Sequence, residues 1–260
     1  MRTAFLLPTV ALVACAPVDA PTDLGDLALF FFEDAESEDE VLAVGFENMA
    51  AALAAIDLEG PPAERTFTTP RMDPAGLEPI PAGARWENQV PVGGAARSAF
   101  SVTDNAAGIR LPDQRPVQSE SSIRYDREFI TDVECFIDRS CETLEVVNAI
   151  TKESPISTLS YDLPMTYRWI DWGDGKRAYF VRGWVQSRFQ GDEPDHWLDQ
   201  NYHSELWIED PEDPSASLRW LNVWTSVTIP GVSDEVTASQ TEAAIHDAFE
   251  RADEWLGAQR

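Results

Sequence analysis

From Ser121 onward the chain stops repeating like a helix and begins repeating like a strand, and that switch limits the available folds more than any other feature. Ile123, Tyr125, Arg127 and Phe129 alternate with Arg124, Asp126 and Glu128, the period-two pattern of a half-buried strand. Residues 141–150 then read as a short helix carrying Leu144, Val147 and Ile150, and Pro155 and Pro164 bracket a strand around Leu159 and Tyr161. Residues 165–172 and 177–189 flank Gly173-Asp174-Gly175, where Asp-Gly supports the positive backbone angles of a tight hairpin. A second hairpin joins residues 202–209 to 217–228 across Pro211-Glu212-Asp213-Pro214. These segments predict an antiparallel sheet of about five or six strands. Ser239 and Glu242 next form a capping-box pattern, and Ile245, Ala248, Phe249, Ala252, Trp255 and Leu256 recur at helical spacing until Gly257. A long C-terminal helix therefore docks its apolar stripe on the sheet, and the predicted fold class is α+β.

The first half is organised differently. Residues 24–32 read as a helix, and Ser37 with Glu40 resembles a second capping box ahead of Val41, Leu42, Phe46, Met49, Leu53 and Ile56. Residues 23–58 are thus a helical segment. Between residues 59 and 120 the periodicity dissolves under nine prolines and the pair Gly93-Gly94. Structureless stretches of that length are uncommon in compact domains, so the segment is expected to wrap the domain and bury Phe67, Ile80, Trp86 and Phe100. Residues 121–260 supply the sheet and last helix, and residues 23–260 are expected to form one domain.

Two resemblances add to this reading. A sheet against a long C-terminal helix resembles the helix-grip, or START-like, proteins, whose fold implies an apolar ligand held between the two. The resemblance covers residues 121–260, carries no diagnostic motif, and lacks the strand with which that family opens. At the other end, Arg2, the apolar run of residues 4–13 and Leu12-Val13-Ala14-Cys15 resemble a bacterial lipoprotein signal. That resemblance implies that residues 1–14 are removed, that Cys15 is acylated, and that residues 15–22 tether the domain to a membrane. Ala16 after the cysteine implies the outer membrane of the cell envelope. The apolar run is too short to span a bilayer as a helix, and an ordinary secretory cut after Ala14 or Ala16 is the alternative.

With Cys15 carrying lipid, Cys135 and Cys141 remain, an even number in an exported chain. They are expected to pair across a short loop, worth about 2 to 3 kcal/mol. The net charge of −27 opposes nucleic acid as a partner. At 43% hydrophobic residues the chain has enough apolar material for a sizeable core.

On the strand after Lys176 one face carries Phe180, Arg182, Trp184 and Gln186, and the last strand similarly presents Trp220, Asn222 and Trp224. The opposite, aliphatic faces are expected to pack as core. If the aromatic and polar faces share a side, Arg182, Trp184, Gln186, Trp220, Asn222 and Trp224, joined by His203 and Trp207, line a surface suited to an amphipathic ligand. The plainer alternative is that these aromatics are core. The acidic loop over residues 191–203, with His196 and His203, matches no calcium or zinc consensus, so no metal or cofactor is expected. Nucleophile-elbow, phosphate-loop and dinucleotide motifs are missing as well. The leading expectation is a membrane-anchored, non-enzymatic lipoprotein that binds a small amphipathic ligand or an envelope protein. A purely structural envelope lipoprotein is one alternative, and a hydrolase or cyclase-like enzyme using His203, Glu205 and Arg182 is the other.

Overall fold

A computed structural model describes residues 19–173 and 175–260. The signal segment and Cys15 therefore lie outside the described residues, as does Asp174 of the predicted hairpin turn. The elements run α1 (Leu24–Glu33), α2 (Asp39–Ala54), β1 (Thr66–Phe67), β2 (Val90–Ser98), α3 (Val102–Ala107), β3 (Ser122–Phe129) and α4 (Val133–Ile137). There follow β4 (Thr143–Glu153), β5 (Thr158–Trp172), β6 (Lys176–Trp184), β7 (Phe189–Gln190), β8 (Trp197–Glu209), β9 (Ser217–Thr228) and α5 (Asp234–Ala258). The strands make one antiparallel sheet in the order β1-β2-β9-β8-β6-β5-β4-β3, with β7 paired to β8 off that path.

The α+β class is as predicted, but the sheet has nine strands and not five or six. Two local misreadings account for the two long strands that were missed, β2 and β4, and the other two, β1 and β7, are two residues each. Residues 141–150 are largely strand: Leu144, Val146, Asn148 and Ile150 are buried on one face of β4, while the three-residue spacing of Leu144, Val147 and Ile150 imitates a helix. β2 sits inside the Pro-rich segment, where buried residues on both faces remove the alternation that marks a half-buried strand. Its Gly93-Gly94 pair is a packing device. A Cβ on Gly93 would lie 2.2 Å from the Phe67 ring, and one on Gly94 would lie 2.7 Å from Ile245 on α5, so each glycine admits a neighbour on its own side of the sheet. β5 runs unbroken through Pro164, which lies opposite Val147.

Helix boundaries follow the caps that form. Asp23 caps α1 by accepting from the Gly25 N–H at 2.8 Å. The expected Ser37 cap of α2 does not form, because Ser37 donates to Asp34 instead and α2 begins at Asp39. α5 starts well before Ser239, with Ser233 as its N-cap. Within the Pro-rich segment Phe100 is buried and Phe67 stacks on Trp220, but Trp86 is 51% exposed, contrary to expectation. Cys135 and Cys141 are joined as a disulfide, their Cα atoms 5.3 Å apart, closing the loop after α4.

The sheet separates two layers. Its outer face packs on α1 and α2 through Phe31, Phe32, Leu42, Phe46 and Met49, each fully buried and each worth about 1.5 to 3 kcal/mol by burial. Its inner face meets α5, but only toward one edge: Ile245 and Phe249 pack on Val90, Val92 and Leu221 of β2 and β9. Asp253 fixes that docking, accepting from Arg219 of β9 at 3.0 Å and from Ser98 of β2 at 2.6 Å. Elsewhere on the inner face Phe136 of α4 packs with Tyr167, Trp169 and Tyr179 of β5 and β6 in a second core cluster, and between that cluster and α5 a gap is left.

Candidate functional site

The gap under α5 is a cavity of about 590 Å³, within the size range of sites for small organic ligands. Ile150 and Leu163 line it from β4 and β5, Leu221 and Val223 from β9, and Ala244, Ile245 and Ala248 from α5. These positions are on the inner face because of strand alternation: β9 presents Leu221, Val223, Thr225 and Val227 inward, and the Trp220, Asn222 and Trp224 between them outward. At one end the rim is formed by Pro155 and Ile156 of the β4–β5 turn and by Ile229 and Val232 ahead of α5. Ile156 is exposed there, so the cavity opens to solvent at that end. Polar side chains interrupt these walls, among them Asn201 and His203 on β8, Thr237, Gln240, Thr241 and Asp247 on α5, and Lys152 and Glu153 with Ser119 and Ser121 near the rim. The Oδ1 of Asn201 is buried and has no hydrogen-bond partner among the described residues.

At its inner end the cavity borders a smaller one of about 70 Å³, and Tyr125 lines both. This second space holds Arg127, Tyr167, Tyr179, Glu205 and Trp207. Arg127 is fixed by donating to Asn148 Oδ1 at 2.8 Å, Tyr167 Oη at 2.7 Å and the Ile109 carbonyl at 3.1 Å. His203 in the large cavity bonds Glu205 in the small one, so this pair spans the junction. Burial raises the Tyr125 and Tyr179 phenols well above the usual tyrosine range and Tyr167 to about 12. These rings are neutral at physiological pH and act as apolar walls with hydroxyl tips.

The predicted site residues divide between the two faces. Register pairs His203 with Gly183 and Val223, and Tyr202 with Trp184 and Trp224, so His203 and Trp207 face inward while Trp184, Trp220 and Trp224 face outward. Trp220 stacks on Phe67, and Trp224 meets Phe32 edge-on and donates to the Pro70 carbonyl at 2.8 Å. Asn222 is buried between them, its amide without a hydrogen-bond partner among the described residues. Arg182 donates to Glu36 and to the Phe32 carbonyl, and Trp184 donates to the Pro79 carbonyl at 2.7 Å. Gln186 is exposed beyond the end of β6. The aromatic face is therefore core, covered by α1 and α2, and not a ligand surface; the aliphatic face packs as core at Tyr179, Val181 and Val185, as expected, and borders the cavity at Leu221, Val223 and Val227. The same alternation places Arg182 across the sheet from His203 and Glu205, so those three do not form one group. Ile150, Lys152, Leu163, Val223 and Thr237 were missed, since isolated aliphatic and polar positions carry no local sign of the space beside them. In the acidic loop His196 bonds Ser157, and Asp199 engages Arg188 and Thr228.

No family model matches the chain, and no curated protein matches it. Among solved structures it is similar to a STAR-related lipid transfer protein from Xanthomonas axonopodis, at 10% identity and TM-score 0.44, covering 64% of this chain and 85% of that one. It is also similar to a START superfamily protein from Mycobacterium smegmatis, at 14% identity and TM-score 0.37, covering 64% and 98%. The lipid transfer and protein localization domain of human StarD13 aligns at 11% identity and TM-score 0.36, covering 64% and 76%. These likenesses are too distant to assign a ligand, which has to be judged from the cavity itself.

Proposed function

We propose that this protein binds a small apolar or amphipathic molecule in the cavity between α5 and the inner face of the sheet. The observation that carries the reading is the cavity: about 590 Å³, walled by aliphatic side chains with polar ones between them, and open at one end. A protein with a purely structural role gains nothing from such a space, since each void forfeits packing contacts. We further propose that Cys15 is acylated and holds the domain at the bacterial envelope, in the outer membrane, close to a source of amphipathic molecules. That part rests on the pattern Leu12-Val13-Ala14-Cys15 alone. No helix among the described residues is long and apolar enough to cross a membrane.

Native mass spectrometry of the Cys15→Ala chain, exported in its own host, tests the binding reading. Added mass that disappears on denaturation is the expected result. Ala248→Trp, which projects an indole into the cavity from α5, should remove that mass while the protein stays folded. A bare mass that persists after incubation with envelope extracts would count against a ligand.

A further inference from the structure

Lys152 is the one lysine or arginine among the described residues that line the large cavity. The chain has 19 basic residues, only two of them lysines, Lys152 and Lys176. Lys152 follows Ile150 along the inner face of β4 and stands at the rim end of the cavity. Its amine donates to Ser119 Oγ at 3.3 Å, and among the described residues no carboxylate forms an ion pair with it. Ser119 in turn is 2.9 Å from the Ser121 hydroxyl and 3.4 Å from that of Ser122.

The charged groups around it compensate the ammonium only in part. Asp247 faces it from α5, but one of its oxygens is taken by the Glu120 N–H at 2.6 Å. Glu120, in the loop before β3, is paired with Arg251 of α5, and Glu153, next on β4, is exposed. Enclosure by the cavity walls pulls the Lys152 amine from 10.5 down to about 8, the attraction of Asp247 offsetting only part of the effect. The amine is therefore still mainly protonated at neutral pH. An enclosed cation with hydroxyls beside it and no partner gains most from an anion that brings the missing charge.

We infer that the ligand of this cavity is an amphiphile with a carboxylate head, held by Lys152 with Ser119 and Ser121, its chain lying along Leu163, Val223 and Ile245. The inference rests on the cavity being the binding site. A single cation matches a single negative charge. A phosphate carrying a second charge would meet Asp247 and Glu153 with no second lysine or arginine among the described residues lining the cavity.

Calorimetric titration of the full chain carrying Cys15→Ala, freed of bound lipid, separates the two readings. The probes are decanoate, decan-1-ol and decyltrimethylammonium. Decanoate should bind more tightly than decanol at neutral pH by about tenfold or more, the effect of one charge-assisted hydrogen bond. Lys152→Met should erase that preference and leave decanol binding intact, Lys152→Arg should retain it, and in the unmutated cavity it should decline as pH rises past about 8. Equal binding of decanoate and decanol, a preference for the cationic probe, or a preference that survives both Lys152→Met and high pH would overturn the carboxylate assignment with the cavity reading intact. Failure of all three probes to bind would overturn both.

Discussion

Replacing Trp224 by Ala asks whether the aromatic face of the sheet is core. The indole is fully buried, meets Phe32 edge-on with ring centroids 5.4 Å apart, and donates to the Pro70 carbonyl at 2.8 Å. Truncating a buried aromatic of this size costs about 3 to 5 kcal/mol through lost transfer energy and the void left behind. The aromatic contact accounts for about 0.5 to 1.5 kcal/mol beyond area burial, and the Pro70 carbonyl left without its donor adds about 1 kcal/mol. A loss of about 4 kcal/mol is a large share of the total stability of any domain. Urea unfolding followed by circular dichroism reads it as a lower midpoint at similar slope. Trp224→Phe, which keeps most of the bulk, should leave decanol affinity unchanged because the cavity is on the other side of the sheet. A stability loss below about 1 kcal/mol, or loss of decanol binding by a folded Trp224→Phe, would refute the outer-face assignment.

His246 is buried on α5, its Nε2 bonded to Thr66 Oγ1 at 2.8 Å, and burial, aided by the positive charge of Arg65, lowers its pKa from 6.5 to about 4. Above pH 6.5 the ring is neutral whether folded or unfolded; as pH falls from there toward 4 the unfolded chain takes up a proton that the folded chain refuses, so stability falls. Against His246→Gln the wild-type protein should lose an extra amount on the order of 2 kcal/mol over that window, measured as the difference in slope of unfolding free energy against pH. Parallel slopes would show that His246 is solvated. Cys15→Ala should shift the protein from the membrane to the soluble fraction of an envelope preparation, and continued sedimentation with membranes would reject the lipid anchor.

The parts of the fold that were legible in the sequence are those where a local pattern maps onto a local structure. The Gly173–Gly175 turn joins β5 to β6, the hairpin across Pro211–Pro214 joins β8 to β9, and the stripe of Ile245, Phe249 and Leu256 is the buried side of α5. Alternation on β6 and β9 also separated each strand into its two faces correctly. β2 was hidden because a strand buried on both faces does not alternate, and β4 because Val147 on its opposite face completes, with Leu144 and Ile150, the three-residue spacing of a helix.

The sequence by itself determined that this chain forms an antiparallel sheet with a long closing helix, and it contains the pattern from which a lipid anchor at Cys15 is proposed. Only tertiary structure decided that both faces of the sheet are core and that one of them also borders a cavity. The large aromatic side chains of the outer face are matched by two apolar helices from the far N-terminus, which bury them. The inner face carries aromatics of its own, Tyr167, Trp169 and Tyr179, packed with Phe136, while its aliphatic side chains on β9 lie opposite α5, whose docking on Gly94 and Asp253's bonds to Ser98 and Arg219 hold it to one edge. A strand's alternation says which residues share a face; the element that covers that face comes from elsewhere in the chain, and the space it leaves belongs to no segment of sequence.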